Sequence, residues 1–156
     1  MTSPLRIAVA GLGTVGGGLL KLIVANAEPI AARCGRAIAV TAVSARDRHK
    51  DRGLELNGIE WYDDAATMAQ QAQCDVVVEL IGGMDGVARR VVDVAIARGK
   101  HVVTANKALL AHAGTVLAHA AEANAVVLAY EAAVAGGIPI IKLLREGLAA
   151  NRAQRI

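Results

Sequence analysis

The sequence contains no phenylalanine, and its whole aromatic complement is Trp61, Tyr62 and Tyr130. Proteins that hold single-stranded nucleic acid stack bases on aromatic platforms set in a concentrated basic face. Seventeen Lys and Arg against fourteen Asp and Glu leave a net charge of only 17 − 14 = +3, so nucleic-acid binding is not expected. The two cysteines, Cys34 and Cys74, lie 40 positions apart with no CxxC or Cys/His cluster. That argues against a zinc site or a disulfide scaffold and for a reducing, cytoplasmic setting. Long apolar runs are missing as well. Mean hydropathy is +0.42, yet stretches such as Val76–Val78 fall far short of the roughly 20 residues of a membrane span, so no membrane partner is expected. Met1 to Arg6 shows no charged-then-apolar leader.

Small aliphatic residues are abundant, and hydrophobic residues make up 54% of 156, which excludes a disordered chain and suits helices packed closely on a sheet. Short runs rich in β-branched residues occur at Arg6–Ala10, Ile38–Ser44, Asp75–Leu80, His101–Thr104 and Val126–Tyr130. Continuous apolarity over four to seven residues predicts strands covered on both faces. Helical spacing lies between them. Val15, Leu19, Leu22 and Ile23 predict one buried face, and Val87, Val91, Val94 and Ala95 another, with Gly99 as the stop. A third helix is predicted from Leu110 to Ala123, burying Leu117, Ala120 and Ala121. A fourth starts near Pro139 with Ile141, Leu144 and Leu148 along one side. Asp63 or Asp64 caps a short helix through Met68, and Arg46–Gly58 reads as a surface loop. Strand and helix alternating in this way predict one α/β domain, a doubly wound parallel sheet of the Rossmann-like type.

The string Gly11-Leu12-Gly13-Thr14-Val15-Gly16 follows the first predicted strand and opens the first predicted helix. Sixteen glycines in the chain make the string weak by itself; its position makes it a dinucleotide-binding turn. Gly11 allows the tight turn, Gly13 removes a side chain where a diphosphate approaches the backbone, and Gly16 lets helix lie close to strand. The free N–H groups and dipole of the helix start then face the diphosphate. After the second strand the chain reads Ser44-Ala45-Arg46-Asp47-Arg48-His49-Lys50. Arg46 as the first charged residue favours NADP(H), with Arg48 and Lys50 adding charge, while Asp47 keeps NAD(H) open and a plain solvated loop is the bland alternative.

Ligands in such folds lie beyond the carboxyl ends of the strands. There the sequence places Glu79 before Gly82 and Gly83, where the two glycines let a cofactor ribose or nicotinamide pass close to the backbone. It also places Thr104 before Asn106 and Lys107, and Glu131 before a glycine-rich stretch ending at Pro139. Lys107 is either a group that stabilises an alkoxide, relays a proton to it or pairs with the cofactor, or simply an exposed lysine at a helix start. Used as a base near neutrality, it would need its ordinary value of ~10.4 lowered. Glu79 is read as a helix cap or satisfied loop carboxylate. His49, His101, His112 and His119 lack metal-binding spacing, which leaves them surface or capping roles.

Taken together, GLGTVGGG at Gly11–Gly18, VVVELIGG at Val76–Gly83, GKHVVTANKALLA at Gly99–Ala111 and YEAAVAGGIPIIKLLREGLAAN at Tyr130–Asn151 resemble homoserine dehydrogenase signatures in their family order. The resemblance implies NAD(P)-linked interconversion of L-homoserine and L-aspartate 4-semialdehyde, on the way to threonine, methionine and isoleucine. It implies that Lys107 is the catalytic lysine at the cofactor–substrate junction. The implied cofactor contacts are Leu12, Gly13, Thr14, Val15, Arg46 and Lys107, to which the glycine turn and the strand ends add Gly11, Gly16, Gly82 and Thr104. A monovalent cation, usually Na+, is implied at Glu131 with the backbone carbonyls of Val134, Gly136 and Ile138. Family members continue into a substrate-binding and dimerising domain. The expectation is therefore a dinucleotide-binding domain over residues 1–150, with 151–156 starting a hinge to that domain. Such a piece binds cofactor without turning over alone, and the full-length protein is a homodimer or homotetramer. Other amino-acid or semialdehyde dehydrogenases, and a non-catalytic dinucleotide sensor, are the alternatives.

Overall fold

The computed structural model describes residues 2–150, so the expected hinge at 151–156 lies outside the described residues. Six strands form one sheet: β1 (Leu5–Ala10), β2 (Ile38–Ser44), β3 (Glu60–Tyr62), β4 (Val76–Glu79), β5 (His101–Thr104) and β6 (Leu128–Ala129). All neighbouring pairs are parallel, in the order β3-β2-β1-β4-β5-β6. Between them run α1 (Thr14–Ala25), α2 (Ala27–Cys34), α3 (Ala65–Gln71), α4 (Gly86–Ala97) and α5 (Lys107–Ala123).

Alternation along the strands explains why the sheet is covered on both faces. Val77 joins Met68, Val91, Ile96, Leu109 and Leu117 in a core made with α3, α4 and α5. Its neighbours Val76 and Val78 point the other way and join Leu20 and Ile23 of α1, with Ile7, Val9 and Val43. The doubly wound sheet expected from the sequence is the sheet found.

Several details differ from the sequence expectation. Val15 is 62% and Leu22 54% exposed, because Gly16 is the residue that α1 presses onto the turn after β1. With Gly16 inward, the 3.6-residue period carries Leu20 and Ile23 inward with it. Val87 on α4 is likewise exposed, whereas Ala88, Val91, Val92, Ala95 and Ile96 are buried. The helix predicted from Pro139 is a short turn, Ile140–Lys142, running into a π-helical turn, Leu143–Gly147, with no fully buried residue. β6 keeps only two of its five expected residues, since Val126 still bonds back to Ala121 at the end of α5. Two elements were not anticipated: α2, which leaves α1 at Asn26 with a bend of 79°, and the edge strand β3. No single described helix is long and apolar enough to cross a membrane; α1 and α2 together pass by length and composition but are bent apart.

Asp64 caps α3, accepting from the backbone N–H of Thr67 at 2.7 Å, and Gly99 ends α4 with φ +68°. At the amino end of the sheet Arg6 donates from Nη2 to Asp75 at 2.7 Å and from its backbone N–H at 2.9 Å, tying β1 to the entry of β4. These bonds hold the Asp75 carboxyl below the ordinary carboxylate range, and the Thr67 bonds do the same for Asp64. A carboxylate lowered on folding contributes stability above its unfolded value of ~3.9 and loses that contribution as pH falls through the folded value. Unfolding midpoints in urea are therefore expected to drop below about pH 4, and Asp75→Asn to flatten that drop. A variant whose acid limb superimposes on the wild type contradicts the assignment to Asp75.

Candidate functional site

β1 and β4 are neighbours in space although two strands separate them in sequence, so the connections diverge at their carboxyl ends. That is where an open α/β sheet leaves a crevice. The register puts Ser44, Ala10, Glu79 and Thr104 in one row across four strands. Among the described residues the buried polar side chains are Ser44, Glu79, Thr104 and Asn106. All four lie at this edge of the sheet, and the amino end holds none.

The glycine turn has a distinct steric reason at each of its three positions. Gly11 has φ +102°, donates its N–H to the Ser44 carbonyl at 2.8 Å, and would put a Cβ 2.7 Å from the Leu80 carbonyl oxygen. A Cβ on Gly16 would overlap the carbonyl oxygen of Gly11. A Cβ on Gly13 would meet no atom of the protein within 4 Å. Gly13 therefore faces an opening and not a neighbour. It is also the N-cap of α1 and offers no side-chain cap, so the first N–H groups of α1 remain available to an anion.

A cleft of about 780 Å³ opens there, lined by Gly11, Leu12, Gly13, Arg46 and Gly82 of the expected cofactor residues. That volume is within the ordinary range for a small-molecule site. Thr14 and Val15 begin α1 on its exposed side and do not line the cleft, and Gly16 is buried behind it. Thr104 is fully buried with its hydroxyl on Glu79, so its side chain does not face the cleft. Lys107 is the exposed first residue of α5, outside the cleft wall.

Glu79 is the satisfied loop carboxylate that its sequence position suggested. It is fully buried and accepts from Ile81 N–H at 2.7 Å, Gly82 N–H at 3.1 Å and the Thr104 hydroxyl at 2.6 Å. Thr104 Oγ1 accepts in turn from the Asn106 N–H at 3.0 Å. Asn106 donates from Nδ2 to the Gly83 carbonyl at 2.6 Å and caps α5 by accepting from Leu109 N–H. One connected network thus joins the Ile81–Gly83 loop, where both glycines have positive φ, to the helix start that carries Lys107. The partners of Glu79 lie up to 25 residues away, which is why sequence reading did not connect them.

In the loop after β2, Lys50 stands where its charge is expected, whereas Arg52 and its neighbour Trp61 are additions to the sequence reading. Lys50 and Arg52 line the cleft beside Arg46, and Arg48 and Arg52 both lie over Trp61. Asp47 lines it too, but its Oδ1 accepts from the N–H groups of His49 and Lys50 within its own loop. His101 accepts from Val127 N–H through Nδ1, a linking role between β5 and β6. No group of three or more His, Cys, Asp or Glu able to hold a metal is found among the described residues. Glu131 lies in a 3-10 turn, its Oε1 accepting from Lys142 N–H at 3.3 Å, and the Ile138 carbonyl accepts from Ile140 N–H.

Comparison with known proteins gives these features a family. Residues 11–131 match the model described as "Homoserine dehydrogenase, NAD binding domain". The chain is 48% identical over 151 residues to a homoserine dehydrogenase of Pseudomonas aeruginosa, covering 96% of this chain and 34% of that protein. It is 47% identical over 153 residues to one from Neisseria gonorrhoeae, covering 98% and 35%. The crystal structure of a homoserine dehydrogenase from Thiobacillus denitrificans superposes with a TM-score of 0.83 at 48% identity, over 96% of this chain and 34% of the other. The chain spans about a third of the length of the curated relatives it matches.

Proposed function

The chain belongs to the homoserine dehydrogenase NAD-binding domain family, and we propose that it forms the cofactor-binding part of an NADP(H)-preferring homoserine dehydrogenase. The whole protein would interconvert L-homoserine and L-aspartate 4-semialdehyde, acting on a CH–OH group in the cytoplasm. One observation carries the reading furthest: the face of Gly13, at the cap of α1, opens into the cleft with no protein atom where a side chain would be. Residues 1–150 are the dinucleotide-binding domain in this reading, and 151–156 lead towards the substrate-binding and dimerising part of a homodimer or homotetramer.

The residues divide the work by position. The unpaired N–H groups at the start of α1 hold the diphosphate, and the missing side chain of Gly13 leaves the way to them open. The preference for NADP(H) is supported by Arg46 and Lys50 in the cleft wall and by Asp47 being turned to its own loop. A carboxylate already accepting two N–H bonds is a poor partner for a ribose hydroxyl, whereas a guanidinium suits a phosphate. Gly82 and Gly83, held by Glu79 and Asn106, let the nicotinamide-ribose end pass. The nicotinamide supplies the hydride chemistry when it is bound. Lys107 manages the proton of the substrate hydroxyl, supported by its exposed position on a helix start anchored to the Gly83 carbonyl through Asn106. We place the Na+ site at Glu131 with the carbonyls of Val134, Gly136 and Ile138. A carboxylate and backbone oxygens suit a hard monovalent cation, and the turns at Ala135 and Gly136, both with positive φ, bend the backbone sharply between them.

Calorimetric titration of the chain tests the cofactor reading. NADPH should bind about tenfold tighter than NADH, the free-energy value of one charge-assisted phosphate contact. Equal affinities remove the NADP(H) preference, and failure of both dinucleotides to bind the folded chain overturns the function.

A further inference from the structure

We propose that Arg52 is a specificity-determining strut: it holds the basic loop after β2 against the glycine turn so that Arg46 and Lys50 converge on the phosphate of the adenosine ribose. The proposal rests on the reading of the cleft as an NADP(H) site. Residues 46–59 have no helix or strand, so the position of the loop depends on what ties it down. Arg52 donates from Nε to the Leu12 carbonyl at 3.1 Å and from Nη1 to the Lys50 carbonyl at 2.8 Å. One guanidinium thus links the glycine turn, where the diphosphate lies, to the loop that meets the far phosphate.

The same guanidinium sits 5.8 Å from the centroid of the Trp61 ring, and that of Arg48 sits 6.0 Å from it. The ring itself is fixed. Trp61 belongs to β3, in register with Val43, and donates from Nε1 to Asp63 at 2.9 Å. The unanticipated edge strand therefore provides a rigid platform on which two arginines of an irregular loop rest.

Charge pairing within the cleft points the same way. Asp47 is engaged by N–H groups of its own loop, Asp63 by Trp61, and Asp64 by Thr67 and Arg90. Three of the four acids lining the cleft, Asp85 being the fourth, thus already have donors, and among the described residues Arg46 and Lys50 form no ion pair, which leaves these two basic groups for a ligand. A loop ordered in advance gives up less conformational freedom when a phosphate arrives, so losing the strut weakens ligands that carry that phosphate and spares those that do not.

The test compares adenosine 2′,5′-bisphosphate with adenosine 5′-monophosphate, two probes that differ by the one phosphate, in displacement titrations of the whole chain. Arg52→Gln and Trp61→Leu should each weaken the bisphosphate about tenfold and leave the monophosphate within about twofold. Arg52→Lys keeps the charge but cannot bridge both carbonyls from a fixed planar fork, so it should fall with Arg52→Gln. Melting curves and circular dichroism confirm that each variant is folded, and Arg52→Lys keeps the test valid should Trp61→Leu disturb the edge strand. An Arg52→Lys protein with the wild-type preference shows that charge alone suffices and overturns the strut, as does a loss shared equally by both probes. A wild-type chain that binds neither probe nor NADPH overturns the functional reading and the strut with it. An intact preference in all three variants overturns the strut alone.

Discussion

A single methyl group added at Gly16 is expected to lower the unfolding free energy by more than about 3 kcal/mol. The new Cβ would overlap the carbonyl oxygen of Gly11, a backbone atom that no rotamer change can move aside. Gly11 has little room to retreat, because even a Cβ on it would lie 2.7 Å from the carbonyl oxygen of Leu80, just past β4. The remaining relief is for α1 to lift away from the sheet, which opens the contacts of Leu20 and Ile23 with Val9, Val43 and Val78. Gly18→Ala is the control. It adds the same methyl group to the same helix where nothing lies within 4 Å, and helix propensity predicts a stabilisation of about 0.5–1 kcal/mol. Urea midpoints of the two variants should therefore move in opposite directions. A Gly16→Ala protein within about 1 kcal/mol of wild type would contradict the close approach of α1 to the turn.

Removing the Glu79 carboxylate should cost about 3 kcal/mol, since Glu79→Ala strands three donors, one of them the fully buried Thr104 hydroxyl. Those donors are the N–H groups of Ile81 and Gly82 and the hydroxyl of Thr104. The damage extends along the network. Thr104 orients the Asn106 backbone, and the Asn106 side chain both caps α5 and holds the Gly83 carbonyl. Glu79→Gln retains an acceptor oxygen and should lose roughly half as much. Denaturation gives the two values, and amide hydrogen exchange should quicken at Ile81 and Gly82 before the rest of the core. Stability unchanged in Glu79→Ala would mean that the buried carboxylate does not organise this loop.

Legibility in the sequence followed the range of the interactions involved. β2 and β5 were read to the residue because nothing but continuous β-branched apolarity was needed. Half of the buried face of α1 was legible, Leu19 and Ile23 but not Val15 and Leu22, because GGGLLKLIVA is apolar on nearly every side and a contact between two glycines decides which side turns inward. β3 has three residues and pairs only at the sheet edge, too short for any alternation to register. The glycine turn could be recognised because its constraints are local. The Glu79 network and the Arg52 bridge could not, since their partners lie 25 and 40 residues away. A signal for the second did exist: Trp61, one of three aromatic residues in the chain, follows a loop carrying three arginines.

NADPH titrated into wild type and Gly13→Val side by side tests most directly whether a diphosphate lies on the bare main chain at the start of α1. Gly13 has φ −76° and an open face, so valine should fold there with a loss of at most about 1 kcal/mol. It would fill the space through which the diphosphate reaches the N–H groups, and affinity should fall by about a hundredfold or more. Undiminished NADPH binding to a folded Gly13→Val protein would contradict the account.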